Sequence, residues 1–282
     1  MVFIWRHNEL MKKLSVILSV LFALTMSAFP PSIHGIIASS ISQGPSYDAD
    51  AKKFIDSSGI TDTIQKRAIN TLVVQLKDSS LWSKMICVYP LVGGTASTTK
   101  WNLKDPRDLD AAYRITFSGG WTFSNNGANP NGINSVANSH FNPSVSGTLT
   151  SQAFGYDSRE NVSSSNIDFG VDNNINNIYG YLSYAGQTAY SSIYSASYLN
   201  PIRVGSNYFY QVSRVGTNVS VYDNGSLLRS GTLATSSLYN GVINFGMAGR
   251  ELDFFYISTG LTASEMLMMY NIVSQFKTDL GI

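Results

Sequence analysis

A chain of 282 residues has the length for one large β domain with an N-terminal attachment or for two small domains, and one main domain is expected here. Only 13% of its residues are charged, against a usual value of about 25%, so its surface is largely neutral and hydrogen-bonding rather than the basic face of a nucleic-acid binder. The formal net charge of +1 includes Arg6, Lys12, Lys13 and Glu9 of the N-terminal segment; without these the balance becomes −1, which removes the electrostatic warrant for phosphate-driven binding.

Residues 1–28 read as a signal-like hydrophobic leader, with Arg6, Lys12 and Lys13 ahead of the apolar run Leu14–Phe29 and the pair Pro30-Pro31. That run of about 16 residues is shorter than the roughly 20 that a spanning helix needs. Export is therefore expected ahead of a permanent anchor, and a membrane is met only through this segment if it stays uncleaved. Residues 29–47 form a polar linker without periodicity.

Residues 48–109 read as a helical preface and an irregular connection. Asp48 or Asp50 caps a short helix that ends at Gly59, with Phe54 and Ile55 on its apolar side. Asp62 and Gln65 have capping-box spacing ahead of Ile64, Ala68, Ile69, Leu72, Val73 and Leu76, whose 3–4 spacing marks a buried stripe on a helix reaching about Asp78. The stretch from Leu81 to Asp108 is expected to be ordered but irregular. It contains Cys87, the only cysteine, which excludes an intramolecular disulfide and is expected to be a small buried side chain.

From 110 to 282 the period changes from helical to two, and the expected fold is mainly β: an antiparallel two-sheet jelly-roll sandwich with a closing helix. Tyr113, Ile115 and Phe117 alternate with Arg114 and Thr116 and predict a first strand ending at Gly119-Gly120. Further strands are predicted at Leu149–Tyr156, Ile178–Tyr184, Ala189–Tyr194, Val242–Met247 and Leu252–Ser258. Alternation at Tyr208–Ser213 and Val219–Tyr222, followed by Asn224-Gly225 and a return through Leu227-Leu228, predicts a tight hairpin. Thr262 and Glu265 cap the closing helix, Met266, Met269, Tyr270, Val273 and Phe276 form its apolar stripe, and Gly281 ends it.

The chemistry is sparse. Glu251, Asp253 and Phe255 occupy the three positions at which a laminarinase-like E-x-D-x-E strand holds nucleophile, helper and acid, and phenylalanine has no proton to give. Of the histidines His7, His34 and His140, only the last lies in the folded region, and neither a G-x-S-x-G, an H-E-x-x-H nor a Walker loop is present. A non-enzymatic protein without a cofactor is expected. Asp172, Asn174 and Asn176 have the spacing that opens a calcium loop, yet Asn177 stands where its glycine belongs and Ser183 where its glutamate belongs.

Two features suit carbohydrate recognition, which joins amide hydrogen bonds to aromatic faces, although tyrosines at rims equally make protein interfaces. The segment from Asn125 to Gly132 supplies Asn125, Asn126, Asn129 and Asn131 just after Trp121, and the segment from Tyr179 to Tyr198 holds six tyrosines, among them Tyr181 and Tyr184. Trp121, these four asparagines, Tyr181 and Tyr184 are the candidate ligand-binding residues. Sequons at Asn161, Asn218 and Asn224 matter only in a glycosylating host.

The strings Leu81-Trp82-Ser83-Lys84-Met85, Val92-Gly93-Gly94-Thr95-Ala96, Asn102-Leu103-Lys104-Asp105-Pro106-Arg107-Asp108 and Gly119-Gly120-Trp121-Thr122 resemble the laminin-G-like, concanavalin-A-like lectin modules of tailed-phage virion proteins and related prophage or metagenomic sequences. The closing Gly260-Leu261-Thr262 to Gly281 resembles the end of the same module. The resemblance implies a lectin-like sandwich on a virion surface or appendage, with glycans or neighbouring virion or cell-surface proteins as partners, oligomers allowed, and no catalytic residue to transfer. The leader departs from that pattern: it marks either an exported cellular relative, such as a bacterial adhesin at a cell surface, or a hydrophobic peg that inserts into a partner. A glycan-processing hydrolase on the same fold is the remaining alternative.

Overall fold

The computed structural model describes residues 46–160, 164–184, 188–202 and 208–282, without the side chains of Tyr184 and Tyr208. The leader, most of the linker and the Asn161 sequon lie outside the described residues.

Two helices open the described chain. Helix α1, Ala49–Ser58, is capped by the Asp48 carboxylate on the Asp50 amide and ends at Gly59, whose φ of 70° only glycine adopts freely. Helix α2, Thr63–Asp78, buries Ala68, Ile69, Leu72, Val73 and Leu76, and the Asp62 carboxylate accepts from the Ile64 and Gln65 amides. Only that half of the expected capping box forms. The Gln65 side chain turns away and donates its Nε2–H to the Asn125 carbonyl at 2.8 Å, tying the helix to a distant turn.

Two antiparallel sheets come next. The first runs in the order β1 (Met85–Tyr89), β14 (Phe254–Ser258), β6 (Ser151–Ser158), β10 (Tyr208–Val215), β11 (Asn218–Asp223), β12 (Ser226–Thr232). The second runs β2 (Thr116–Ser118), β5 (Val136–Asn138), β13 (Asn244–Phe245), β7 (Phe169–Val171), β8 (Asn177–Tyr184), β9 (Thr188–Ser195). Strands β3 (Trp121–Ser124) and β4 (Gly127–Pro130) make a separate hairpin. Each sheet joins a run of consecutive hairpin strands, β10-β11-β12 or β7-β8-β9, to neighbours far apart in sequence, as a sandwich with chain crossings between its sheets requires. The expected mainly-β two-sheet sandwich with flanking helices is the fold observed.

Between the sheets lies a core of rings and branched aliphatics. Phe245 of β13 stacks on Phe255 of β14 at 4.5 Å, and Phe154 of β6 on Phe169 of β7 at 5.5 Å, so aromatic pairs join one sheet to the other. Cys87 is fully buried in this core, where burial pushes its thiol up to about 12. Arg250 and Asp168, both wholly buried, form an ion pair at 2.9 Å, and the second Asp168 oxygen accepts from the Leu182 amide, so the charge is paired and hydrogen-bonded.

The other face of the first sheet carries Phe209, Phe254 and Tyr256, and helix α3, Ala263–Leu280, covers it. Thr262 and Glu265 form both halves of the capping box, and Gly281 ends the helix at φ 79°. Its Met266, Met269, Ile272, Val273 and Phe276 are buried, and Phe276 meets Phe254 at 6.0 Å while Tyr270 stacks on Phe209 at 6.5 Å. Helix α2 packs on α3. The layers are therefore helices, first sheet, second sheet.

Three local expectations need correction. Tyr113 is not in a strand: it ends a short 3-10 turn at φ 59°, and β2 begins only at Thr116. The stretch read as irregular contains strand β1, which pairs with β14, and Asn102 fastens the connection between β1 and β2 by accepting from the Val88 amide and donating to the Ala112 carbonyl. The Asn125–Gly132 segment is not an open loop; it holds the tight turn at Asn125-Asn126 and strand β4, whose Asn129 pairs with Thr122.

Candidate functional site

The one carboxylate motif in the sequence does not assemble. In an E-x-D-x-E strand the three side chains share a face, but here the chain leaves the β14 ladder before Phe254, and Leu252 pairs with Ala128 of the hairpin. Phe255 consequently points into the core between the sheets, while Asp253 lies within 3.9 Å of Lys277 on α3. Arg159 holds both acids, Glu251 at 2.6 Å and Asp253 at 2.9 Å, and a methyl group at Gly127 would stand 2.8 Å from Asp253 Oδ1. These acids are spent on an internal hydrogen-bonded network around Arg159 beneath the hairpin.

His140 fares similarly. Its Nε2 lies 2.8 Å from Thr116 Oγ1 and 3.5 Å from Asp110 Oδ1. The same nitrogen faces hydroxyl and carboxylate, whereas a nucleophile relay needs one on each ring nitrogen.

In the segment offered for calcium, the side chains serve the turn itself. Asn177 Oδ1 accepts from the Asn173 and Asn174 amides, Asn173 Oδ1 from the Ile175 and Asn176 amides, and Asn176 Oδ1 from Asn173 Nδ2. Asn174 adopts φ 62°, a conformation asparagine tolerates. Among the described residues, no group of three or more His, Cys, Asp or Glu side chains is placed to hold a metal ion. Asp172 is exposed and stands apart from these bonds except for one long contact, Asn174 N–H to Oδ1 at 3.4 Å.

The tyrosine segment makes the concave surface. Along β8, Ile178 and Leu182 face the core, so Tyr179 and Tyr181 face outward, and on β9 Tyr190 is the cross-strand partner of Tyr181. Tyr179 meets Tyr181 at 5.2 Å and 74°, Tyr181 meets Tyr190 at 6.4 Å and 83°, and Tyr190 meets Tyr198 at 5.3 Å and 65°. Together with Asp172 these four rings line a cavity of about 280 Å³ on the outer face of the second sheet. Burial raises the Tyr179 phenol, and the Asp172 charge adds to it. Tyr179 is 3% exposed, whereas Tyr198 is 51% exposed at the rim.

The candidates of the hairpin lie elsewhere. Trp121 is half-buried, donates its indole N–H to the Ser118 carbonyl and packs edge-on to Phe117 at 5.0 Å. Asn131 caps its own turn by accepting from the Ile133 and Asn134 amides. Asn126 gives its carbonyl to Arg159, while the side chains of Asn125 and Asn129 are exposed. None of these residues lines the tyrosine cavity. Tyr181 does. Tyr184 ends the same strand, and its side chain lies outside the described residues. Tyr179, Tyr190 and Tyr198 join the site without having been candidates, although the alternation of Tyr179 and Tyr181 with Ile178 and Gly180, and of Tyr190 with Ala189, marks a common outward face.

No protein-family model matches the chain, and no curated protein does. Solved structures do. The chain is similar to a botulinum neurotoxin type C structure, described with the dependence of cell entry on two ganglioside molecules, at 13% identity and a TM-score of 0.54, covering 69% of this chain and 52% of that one. It is similar to the binding domain of botulinum neurotoxin DC at 12% identity and a TM-score of 0.53, covering 68% and 52%. Domain 4 of an extracellular arabinanase from Geobacillus stearothermophilus, in complex with arabinotriose, matches at 16% identity and a TM-score of 0.49, over 66% of this chain and 98% of that domain. The chain spans about half the length of the neurotoxin chains, and at these identities the shared property is the sandwich fold.

Proposed function

We propose that this chain is a non-enzymatic glycan-binding module and that Tyr179, Tyr181, Tyr190, Tyr198 and Asp172 form its recognition face. The observation that carries the reading is the placement of four tyrosines around a concavity on the outer face of the second sheet. Aromatic faces pack under sugar C–H groups while phenol hydroxyls and a carboxylate take the sugar hydroxyls. The neurotoxin of similar fold is described as depending on two ganglioside molecules for cell entry, and the similarity covers about half of that chain; the residues at issue are this chain's own.

The test is a glycan array followed by titration. Tyr198→Ala removes a half-exposed rim ring and should weaken binding about tenfold or more, as loss of one aromatic contact does in sugar and interface sites, with the folded far-UV spectrum retained. Unchanged affinity would remove the tyrosine face from the reading. For the hydrolase alternative, Glu251→Gln should leave any β-glucan hydrolysis unaffected, because Arg159 already occupies that carboxylate.

Where the module is displayed rests on the sequence strings alone. The Asn102-to-Asp108 resemblance supports a virion surface or appendage, checked by co-purification with particles. The leader supports an exported adhesin, checked by N-terminal sequencing of the mature protein.

A further inference from the structure

The tyrosine cavity has a charge as well as a shape. Its lining contains one carboxylate, Asp172, and four phenols, and among the described residues no lysine or arginine lines it. Arg229 is directed to Asn200 Oδ1 at 3.1 Å, two residues beyond Tyr198 in sequence. The neighbouring rings cross at 74°, 83° and 65°. They therefore present faces and edges around a box rather than one flat platform. A flat platform suits the apolar face of a neutral pyranose. A cleft of crossed rings offers π faces at more than one angle, and a carboxylate in its lining adds a full negative charge there.

We infer that this cavity selects saccharides carrying an ammonium substituent, a protonated or methylated amine, over neutral and acidic ones. The inference rests on the glycan-binding proposal and names the class of ligand for that same face. The ammonium sits against the ring faces beside Asp172, and the sugar ring extends over Tyr198 at the rim. An anionic sugar is disfavoured by the same arrangement, since its carboxylate would meet Asp172 with no lysine or arginine among the described lining residues to offset the repulsion.

The experiment compares two probes of equal backbone, a β-1,4-linked oligomer of glucosamine and its N-acetylated counterpart, titrated at mildly acidic pH where the free amines are protonated. The glucosamine oligomer should bind about tenfold more tightly, a preference of the size one partly desolvated cation–π and ion contact supplies. Asp172→Asn, at an exposed position, should remove most of that preference, and Asp56→Asn, which alters an exposed carboxylate on α1, should leave it intact. Equal binding of the two oligomers, or a preference that survives Asp172→Asn, overturns the inference. If Tyr198→Ala still weakens either oligomer or a neutral glycan in that case, the glycan reading stands without it. If no saccharide binds in a Tyr198-dependent way, both fall together.

Discussion

At the scale of single residues, the network under the hairpin sets how stability varies with pH. Asp157 and Asp253 are both buried, 2% and 3% exposed. They share Lys277, which lies 2.7 Å from Asp157 and 3.9 Å from Asp253, and Arg159 reaches Asp253 at 2.9 Å. Burial, then the facing Asp157 carboxylate, pushes Asp253 up to about 8, and burial raises Asp157 as well. A carboxyl raised in the fold keeps its proton where the unfolded chain has lost it. Its contribution is complete below the unfolded value of 3.8 and is lost as pH rises toward about 8. Asp48 and Asp50 act in the opposite sense: hydrogen bonds from Lys77 lower both, so their contribution is present above the ordinary carboxylate range and lost as pH falls. The expected curve peaks at mildly acidic pH and declines between about pH 4 and pH 8. Urea midpoints measured across that range should decline less in Asp253→Asn than in the native chain; parallel curves would assign the decline to other groups.

At the scale of elements, most of the architecture was legible because each sheet face obeys a period of two and each helix announces its caps. The Asn224-Gly225 hairpin forms with φ 47° and 75°, and the Asp48, Asp62 and Thr262 caps all form. The features that were not legible arise where elements meet. Strand β1 is a short run, Met85–Tyr89, with burial on both faces, so no alternation announces it. The slip that separates Asp253 from Phe255 depends on the distant partner Ala128. The tyrosine face needed Asp172, which enters from the turn after β7. Gly155 shows the same dependence: a Cβ there would lie 2.0 Å from the Tyr256 ring of the neighbouring strand. That ring lies over the glycine so that its hydroxyl donates to Gln211, whose Nε2–H in turn donates to the Met266 carbonyl of α3. Gly155→Ala should therefore cost about 1–3 kcal/mol by overpacking. Gly216→Ala, at φ 64° with open space around it, should cost about 1 kcal/mol from backbone strain alone. Equal costs in chemical denaturation would mean that the Tyr256 ring moves aside freely.

At the scale of the whole molecule, the layering separates stability from recognition. One sheet is buried over most of both faces, by the second sheet and by α3, with its edge strand β12 largely exposed, and the second sheet keeps an outer face on which the tyrosine cavity lies. The apolar surface that α3 covers includes Phe209, Phe254 and Tyr256, each 2% exposed or less. Burying side chains of this size is worth about 1.5–3 kcal/mol apiece, which together is comparable to the net stability of a typical domain. A chain ended at Thr259 should therefore be insoluble or bind hydrophobic dyes strongly. The recognition face makes the opposite prediction. Asp172→Asn and Tyr198→Ala alter exposed positions outside that core, so their denaturation midpoints should stay within about 0.5 kcal/mol of native while binding changes. A variant that lost binding only in proportion to lost stability would place Tyr198 in the scaffold and leave the cavity without its rim.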